Sequence, residues 1–288
     1  MNGLSLKQNA VLIVDGTNLM HRHFYSKPDL AASDGTPTGA LYGTVKMLKS
    51  YAVQFKPLQI FICCDKRRKN FRNQIFPDYK ANRKPTDERL KSQFALLRKF
   101  CFLARLPYIE ADEYEADDLI GSLSTHAFEY GFTPYAVSGD RDIFQLIDKQ
   151  VDVIYLSNKG PVLYDAKKLE ETYGLKPWQY LDFKALQGDK GDNIPGIPGV
   201  GEKTAVKLLN DFKNLDGIYE NIDQLKGKLK EKVAENKDIV YKAKELVTIR
   251  CDMDLDYNSY FEIDIEEGYD FDNAEVKQFL NRLDIKSL

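Results

Sequence analysis

Three short apolar runs in this 288-residue chain each end in carboxylates, and no other feature limits its fold so tightly. Val11-Leu12-Ile13-Val14 leads into Asp15, Ile60-Phe61-Ile62-Cys63-Cys64 into Asp65, and Tyr135-Ala136-Val137-Ser138 into Asp140 and Asp142. With a fourth run at 151–156, these segments are short, rich in β-branched and aromatic residues, and alternate with helical patterns. Such alternation implies right-handed crossovers and a parallel central sheet flanked by helices, an α/β fold. Ligands of an open parallel sheet bind outside the carboxyl ends of its strands. Strands lying side by side would therefore aim these carboxylates into one cleft. Like charges that close stay ionised only with cations among them, and oxygen-only donors suit Mg²⁺ or Mn²⁺. The pattern predicts phosphoryl transfer assisted by two or more metal ions.

The helical patterns place the rest. Gly39 to Phe55 carries Leu41, Val45, Leu48 and Ala52 at helical spacing, Asp87 to Ala104 is a second helix with Thr86 as its N-cap, and Ala116 to Tyr130 is a third with acids in its first turn. The segment 66–86 has two prolines, many charges and no period, and reads as a surface excursion that orders on a ligand. Beyond Asp165 the chain turns mostly helical, with Trp178 to Leu186, a Gly/Pro-rich connector, and Lys203 to Phe212. This divides it into an α/β domain over 8–172, a helical subdomain over 173–260 and an acidic extension over 261–288. The acidic, aromatic stretch 252–273 reads as a surface wrap.

Hydrophobic content of 43% with 30% charged residues is ordinary for a globular protein. No apolar stretch approaches a membrane span, and Met1 to Gln8 lacks the apolar core of a signal peptide. The four cysteines show no CxxC spacing, so a reducing, cytoplasmic setting without structural disulfides or zinc is expected. The net charge of −3 hides a separation by sign: Lys66 to Arg105 holds 13 Lys/Arg against Asp78, Asp87 and Glu88, whereas Cys251 to Asn273 holds nine acids and no Lys or Arg. Phe71, Phe76 and Tyr79 interrupt the basic run, and aromatics among cations suit unpaired nucleic-acid strands.

Two further acid clusters follow. Glu115-Ala116-Asp117-Asp118 opens the third helix, where Glu115 and Asp118 share a face and the helix N-terminus favours negative charge. Gly188-Asp189-Lys190-Gly191-Asp192-Asn193 is a tight loop able to turn both carboxylates one way. Taken singly, each is also what a good helix start or an Asp-Gly turn looks like. The coincidence of nine acids at strand ends, a helix start and a Gly-rich loop is what argues for one crevice. Downstream, Gly196-Ile197-Pro198-Gly199-Val200-Gly201-Glu202-Lys203-Thr204-Ala205 almost spells a phosphate-binding P-loop, but Glu202 intrudes and no apolar strand precedes it. A helix-hairpin-helix turn fits better, with Gly199 and Gly201 letting backbone approach duplex phosphate without reading sequence.

Val14-Asp15-Gly16-Thr17-Asn18-Leu19, Tyr79-Lys80-Ala81-Asn82-Arg83, Glu115-Ala116-Asp117-Asp118, Gly139-Asp140-Arg141-Asp142 and Gly188 to Gly196 stand in the order found in bacterial and phage 5′ nucleases. From Leu12 to Leu255 the chain resembles the 5′–3′ exonuclease domain of bacterial DNA polymerase I and is similar to flap endonucleases. The resemblance implies a PIN-like 5′ nuclease fold with a helix-hairpin-helix subdomain. It implies one metal set at Asp15, Asp65, Glu115, Asp117 and Asp118, partly through water, and a second at Asp140, Asp142, Asp189 and Asp192. Lys80 and Arg83 match the family's helical arch, near 66–105, and are the expected catalytic cations, with Tyr79 stacking on an unpaired base. Gly199, Gly201, Lys203 and Thr204 match the hairpin that grips duplex DNA, where K⁺ also binds in the family. The expected partners are branched or nicked DNA, including an RNA primer strand, for a monomer whose polymerase is a separate chain. A PIN-like ribonuclease and a catalytically silent DNA-junction-binding protein are the alternatives. The hairpin argues against the first and the complete acid set against the second.

Overall fold

The computed structural model describes residues 5–67, 69–262 and 268–286. The extension predicted over 261–288 therefore falls partly outside the described residues. Strands β1 (Ala10–Asp15), β2 (Gln59–Cys63), β3 (Tyr108–Ile109), β4 (Thr133–Ser138), β5 (Asp152–Ser157) and β6 (Gly160–Tyr164) form one sheet in the order β3-β2-β1-β4-β5-β6. All neighbours are parallel except β5 and β6, which form a hairpin. The chain leaves β1 towards β2 on one side and returns at β4 on the other, so the crevice-forming reversal of strand order falls between β1 and β4.

Alternation along the strands sends Val11 and Ile13 to one face and Leu12 and Val14 to the other, and both faces are covered. Helices α1 (Gly16–Ser26), α2 (Gly39–Phe55), α3 (Phe71–Ile75), α4 (Glu88–Leu103) and α5 (Ala116–Ala127) precede the hairpin. Leu19, Leu41 and Leu97 of α1, α2 and α4 pack on the Leu12 face, and Leu119 and Leu123 of α5 on the other. The cap of α4 is Asp87, whose carboxylate accepts from Arg89 N, rather than Thr86. α5 stops at Ala127 because residues 128–130 tighten into a 3₁₀ turn. The segment 66–86 is more ordered than its composition suggests: Asn70 caps α3 by accepting from Arg72 N, and its own amide donates to Asn73.

Helices α6 (Ala166–Tyr173) and α7 (Tyr180–Gln187) lead into a two-stranded turn, β7 (Gly188–Asp189) with β8 (Ile194–Pro195). Helices α8 (Glu202–Phe212), α9 (Leu215–Glu220), α10 (Gly227–Glu235), α11 (Lys237–Val247) and α12 (Tyr257–Phe261) complete the helical part, and α13 (Ala274–Arg282) returns to the sheet domain. The 252–273 stretch is not merely a surface wrap. Met253 and Phe261 are buried on the α5 face, and Phe271 with Val276 and Leu280 of α13 on the α4 face. Acids dominate its composition, but its aromatics supply the packing.

Candidate active site

The carboxyl ends of β2, β1 and β4 lie side by side, and a cleft of about 750 Å³ opens over them. Asp15, Asp65, Glu115, Asp117, Asp140, Asp142 and Asp192 all line it, together with Lys66, Arg67, Lys80, Arg83, Lys84 and Lys91. Asp15 also caps α1, accepting from Asn18 N at 2.8 Å, while its other oxygen accepts from Ser138 Oγ at 2.7 Å. Asp65 accepts from the amide of Ala116 at 2.7 Å, which ties β2's end to the start of α5.

Burial lifts the Asp15 carboxyl to about 7, with Asp65 and Asp140 adding like charge against the hydrogen bonds from Asn18 and Ser138. Burial also drives Asp142 up to about 7, aided by Asp140 and opposed by Lys184. Asp117 is pushed well above the carboxylate range by burial and by Asp15 and Asp140, and Asp65 is raised by burial and by Glu115. Glu115 goes the other way: burial alone would raise it, but Lys80, Arg72 and the Tyr79 hydroxyl hold it down.

Three cations are paired with these acids. Lys80 Nζ lies 2.5 Å from Glu115 Oε1 and 3.6 Å from Asp192, and Arg83 is paired with Asp192. Lys184 of α7, which sequence reasoning passed over, stands 2.6 Å from Asp142 and 3.1 Å from Asp189. Asp142 Oδ1 makes no geometrically sound hydrogen bond despite that ion-pair distance. Among the described residues no three such side chains form a ready-made cation cage. An all-oxygen, mutually repelling set nevertheless fits hard divalent cations.

Two of the expected site residues are committed to other partners, Asp118 behind the cleft and Tyr79 in its wall. Asp118 is fully buried, both oxygens taken by the Arg72 guanidinium at 2.7 and 2.8 Å, so it is not presented to the cleft as a ligand. Tyr79 is 4% exposed, packed among Ile194, Leu246 and Val247 with its hydroxyl donating to Glu115, and is not free to stack on a base. Asp189 folds its loop by accepting from the amides of Gly191 and Asp192, but the two acids part: Asp192 lines the cleft, whereas Asp189 is not among its lining residues and pairs with Lys184. Gly188 makes the loop possible, with φ +68 and the backbone of Gly196 where a Cβ would sit.

The hairpin joins α7 to α8. Gly199 takes φ +83 and is exposed, and Gly201 caps α8 with no side-chain acceptor. Lys203 and Thr204 lie in the first turn of α8 beside them. Uncapped amides at a helix start suit phosphate.

The pKa pattern predicts a pH-dependent stability. For Asp15 and Asp142 the folded state keeps its proton to about 7, whereas the ordinary value is 3.8, so the metal-free protein loses stability as pH rises through that window. A divalent cation offsets that loss when the groups are ionised and must displace protons when they are not. Mg²⁺ should therefore raise the melting temperature more at pH 8 than at pH 5. Equal increments in thermal scans at the two pH values would contradict it.

A sheet that gathers carboxylates beneath a basic segment, next to a glycine-bearing hairpin, defines a nuclease class. Residues 10–174 match the model of the 5′-3′ exonuclease N-terminal resolvase-like domain, and residues 175–267 match its C-terminal SAM fold. The chain belongs to the 5′-3′ exonuclease family. It is 40% identical over 249 residues to DNA polymerase I of Caldicellulosiruptor bescii, covering 85% of this chain but 29% of that one. It is 37% identical over 254 residues to DNA polymerase I of Bacillus subtilis, covering 87% and 29%. The chain thus spans under a third of those relatives' length. T5 5′-exonuclease, solved with zinc, shares the fold with a TM-score of 0.67 and 24% identity over 96% of this chain and 100% of that one. The catalytic core of Rad2 in complex with DNA substrate gives 0.57 and 17% over 96% and 88%.

Proposed function

We propose that this chain is a divalent-metal-dependent, structure-specific 5′ nuclease that cuts DNA at 5′ flaps, nicks and ends. The observation that carries this reading is one cleft lined by eight carboxylates, Glu110 among them, together with cations of the basic segment. Asp15, Asp65, Glu115 and Asp117 would hold one ion. Asp140 and Asp142, with Asp189 and Asp192 from the hairpin side, would hold another, Mg²⁺ or Mn²⁺ by donor chemistry. When bound, two such ions lower the pKa of a water and stabilise charge on the leaving oxygen. A monovalent K⁺ at the hairpin belongs to the same reading. So do a reducing, cytoplasmic setting, a monomeric chain and a role in replication and repair. Among the described residues no helix is long and apolar enough to cross a membrane.

Lys80 and Arg83 supply positive charge where the scissile phosphate would enter. Their carboxylate partners hold them in place, and a phosphate or a metal at Glu115 and Asp192 competes for the same contacts. Lys80→Ala should lower the single-turnover rate by about tenfold or more, as loss of a transition-state donor does. A variant changed only in affinity would remove Lys80 from the chemistry.

Substrate choice follows from the two surfaces. The basic stretch tracks a single strand by charge, and the hairpin needs duplex on the other side. Cleavage should therefore favour a 5′ single strand joined to duplex, near the junction and at any sequence, with binding that weakens steeply in salt. A 5′ flap, a 3′ flap, a blunt duplex and a bare strand of matched sequence test it. Equal rates on both flaps, or a preference set by base sequence, would overturn it. RNA cleaved better than DNA would favour the ribonuclease reading.

A further inference from the structure

Residues 246–250, the last two of α11 and the three that follow, run along the cleft, which Leu246, Val247 and Ile249 line. This strap has no strand partner, and side chains from α3, from α5 and from the segment after β4 serve its backbone. Arg72 donates to the carbonyls of Leu246 and Thr248, and Asp118 accepts from Arg250 N. Gln145 takes the groups between: its Nε2 donates to Val247 O at 3.0 Å and its Oε1 accepts from Ile249 N at 2.9 Å. The same Nε2 donates to the carbonyl of Asp142 at 3.0 Å.

Gln145 thereby closes a continuous hydrogen-bonded path. Ser138 Oγ donates to Asp15, Asp140 N to Ser138 Oγ, and Asp142 N to Asp140 Oδ1. Gln145 joins that turn to the strap, and Asp118 joins the strap to Glu115, whose amide donates to Asp118 Oδ2. The other end of the strap belongs to the subdomain of the hairpin. Lys244 of α11 lies 2.6 Å from Asp182 of α7, and Val247 packs with Ile194 of the turn that follows α7.

We propose that Gln145 is a positioning residue that locks the Asp140–Asp142 turn to the strap, so that seating of the hairpin subdomain fixes the placement of these two acids. The inference rests on reading Asp140 and Asp142 as active-site acids. Gln145 is half-buried and serves few backbone groups, so the fold need not fail without it, although Val247 and Ile249, which it serves, are buried and some stability is lost. What fails is registry: the turn and the strap lose their shared partner, and misplacement of a reacting group by about 1 Å can cost on the order of 10²-fold in rate.

The test compares wild type, Gln145→Met, Gln145→Asn and Asp140→Asn on a 5′-flap substrate. Saturating single-turnover rates are measured in Mg²⁺, flap affinity without divalent metal, and amide exchange at Ile249 on the free protein. Gln145→Met should cut the saturating rate by about tenfold or more while leaving affinity close to wild type. The Ile249 amide should exchange faster in that variant. Gln145→Asn keeps the amide but withdraws it by a methylene, and should show the same split to a lesser degree. It decides the matter if the methionine variant does not fold. A saturating rate near wild type in the folded variants, or a loss accounted for by weaker binding, overturns the proposal. If Asp140→Asn also cuts normally, the reading of the acids fails. If it is inactive while the Gln145 variants cut normally, only the positioning role fails.

Discussion

Asp15→Asn and Asp140→Asn should each remove cleavage almost completely, by about 10³-fold or more, while flap binding without metal stays close to wild type. The magnitude is that of several kcal/mol of lost metal-assisted stabilisation, at about 1.36 kcal/mol per factor of ten. The fold should not suffer. An asparagine at 15 can still accept from Asn18 N, and its amide can donate to the Ser138 hydroxyl that now donates to Asp15. Removing that charge also relieves the repulsion with Asp65 and Asp140 that helps lift the Asp15 carboxyl. Without metal the asparagine variant should therefore melt no lower than wild type, and it should lose part of the stabilisation by Mg²⁺. Near-normal turnover of either variant would remove the central claim. Loss of activity together with loss of fold would show that Asp15 matters as a helix cap and leave the metal role to Asp140.

The frame of this site is readable because it is written in local period. Strand runs ending in acids are separated by helix-length patterns, so β2, β1 and β4 could be expected side by side, and they are. The hairpin glycines are local as well, since a positive φ at Gly188 and Gly199 is a property of the turn itself. What composition cannot show is which cation meets which acid. Arg72 lies 46 residues from Asp118, and neither residue type nor spacing marks that pair. Lys184 looks like any lysine on an amphipathic helix until Asp142 and Asp189 are seen on either side of it. Tyr79 misleads for the opposite reason. An aromatic within a basic run suggests base stacking, but Ile194, Leu246 and Val247 come from far along the chain to bury its ring. The antiparallel edge strand β6 escaped because its five residues, Gly160–Tyr164, are too few to show alternation clearly and start at a glycine and a proline.

The same contrast makes Arg72 the position where a single change should harm stability most. Its side chain is almost wholly buried and donates to both oxygens of Asp118, which is wholly buried, and to the carbonyls of Leu246 and Thr248. Arg72→Ala leaves Asp118 with its charge in the interior and strips two strap carbonyls of their donor. Breaking a buried pair in this way costs about 3–5 kcal/mol, because the remaining charge has lost its compensation. The ion pair need not itself be worth that much, since desolvating both groups consumes most of their attraction. The two statements separate in a double-mutant cycle. Arg72→Leu should shift the urea midpoint strongly at an unchanged slope, and adding Asp118→Leu should recover part of the loss rather than add to it. The recovery will be incomplete, because Leu246, Thr248 and Arg250 keep backbone groups that the leucines cannot serve. A loss below about 1 kcal/mol for Arg72→Leu, the size of an exposed pair, would mean that water reaches Asp118. The strap would then not be held as its hydrogen bonds indicate. Additive losses would mean that the pair acts through its separate backbone contacts, with no coupling between the two charges.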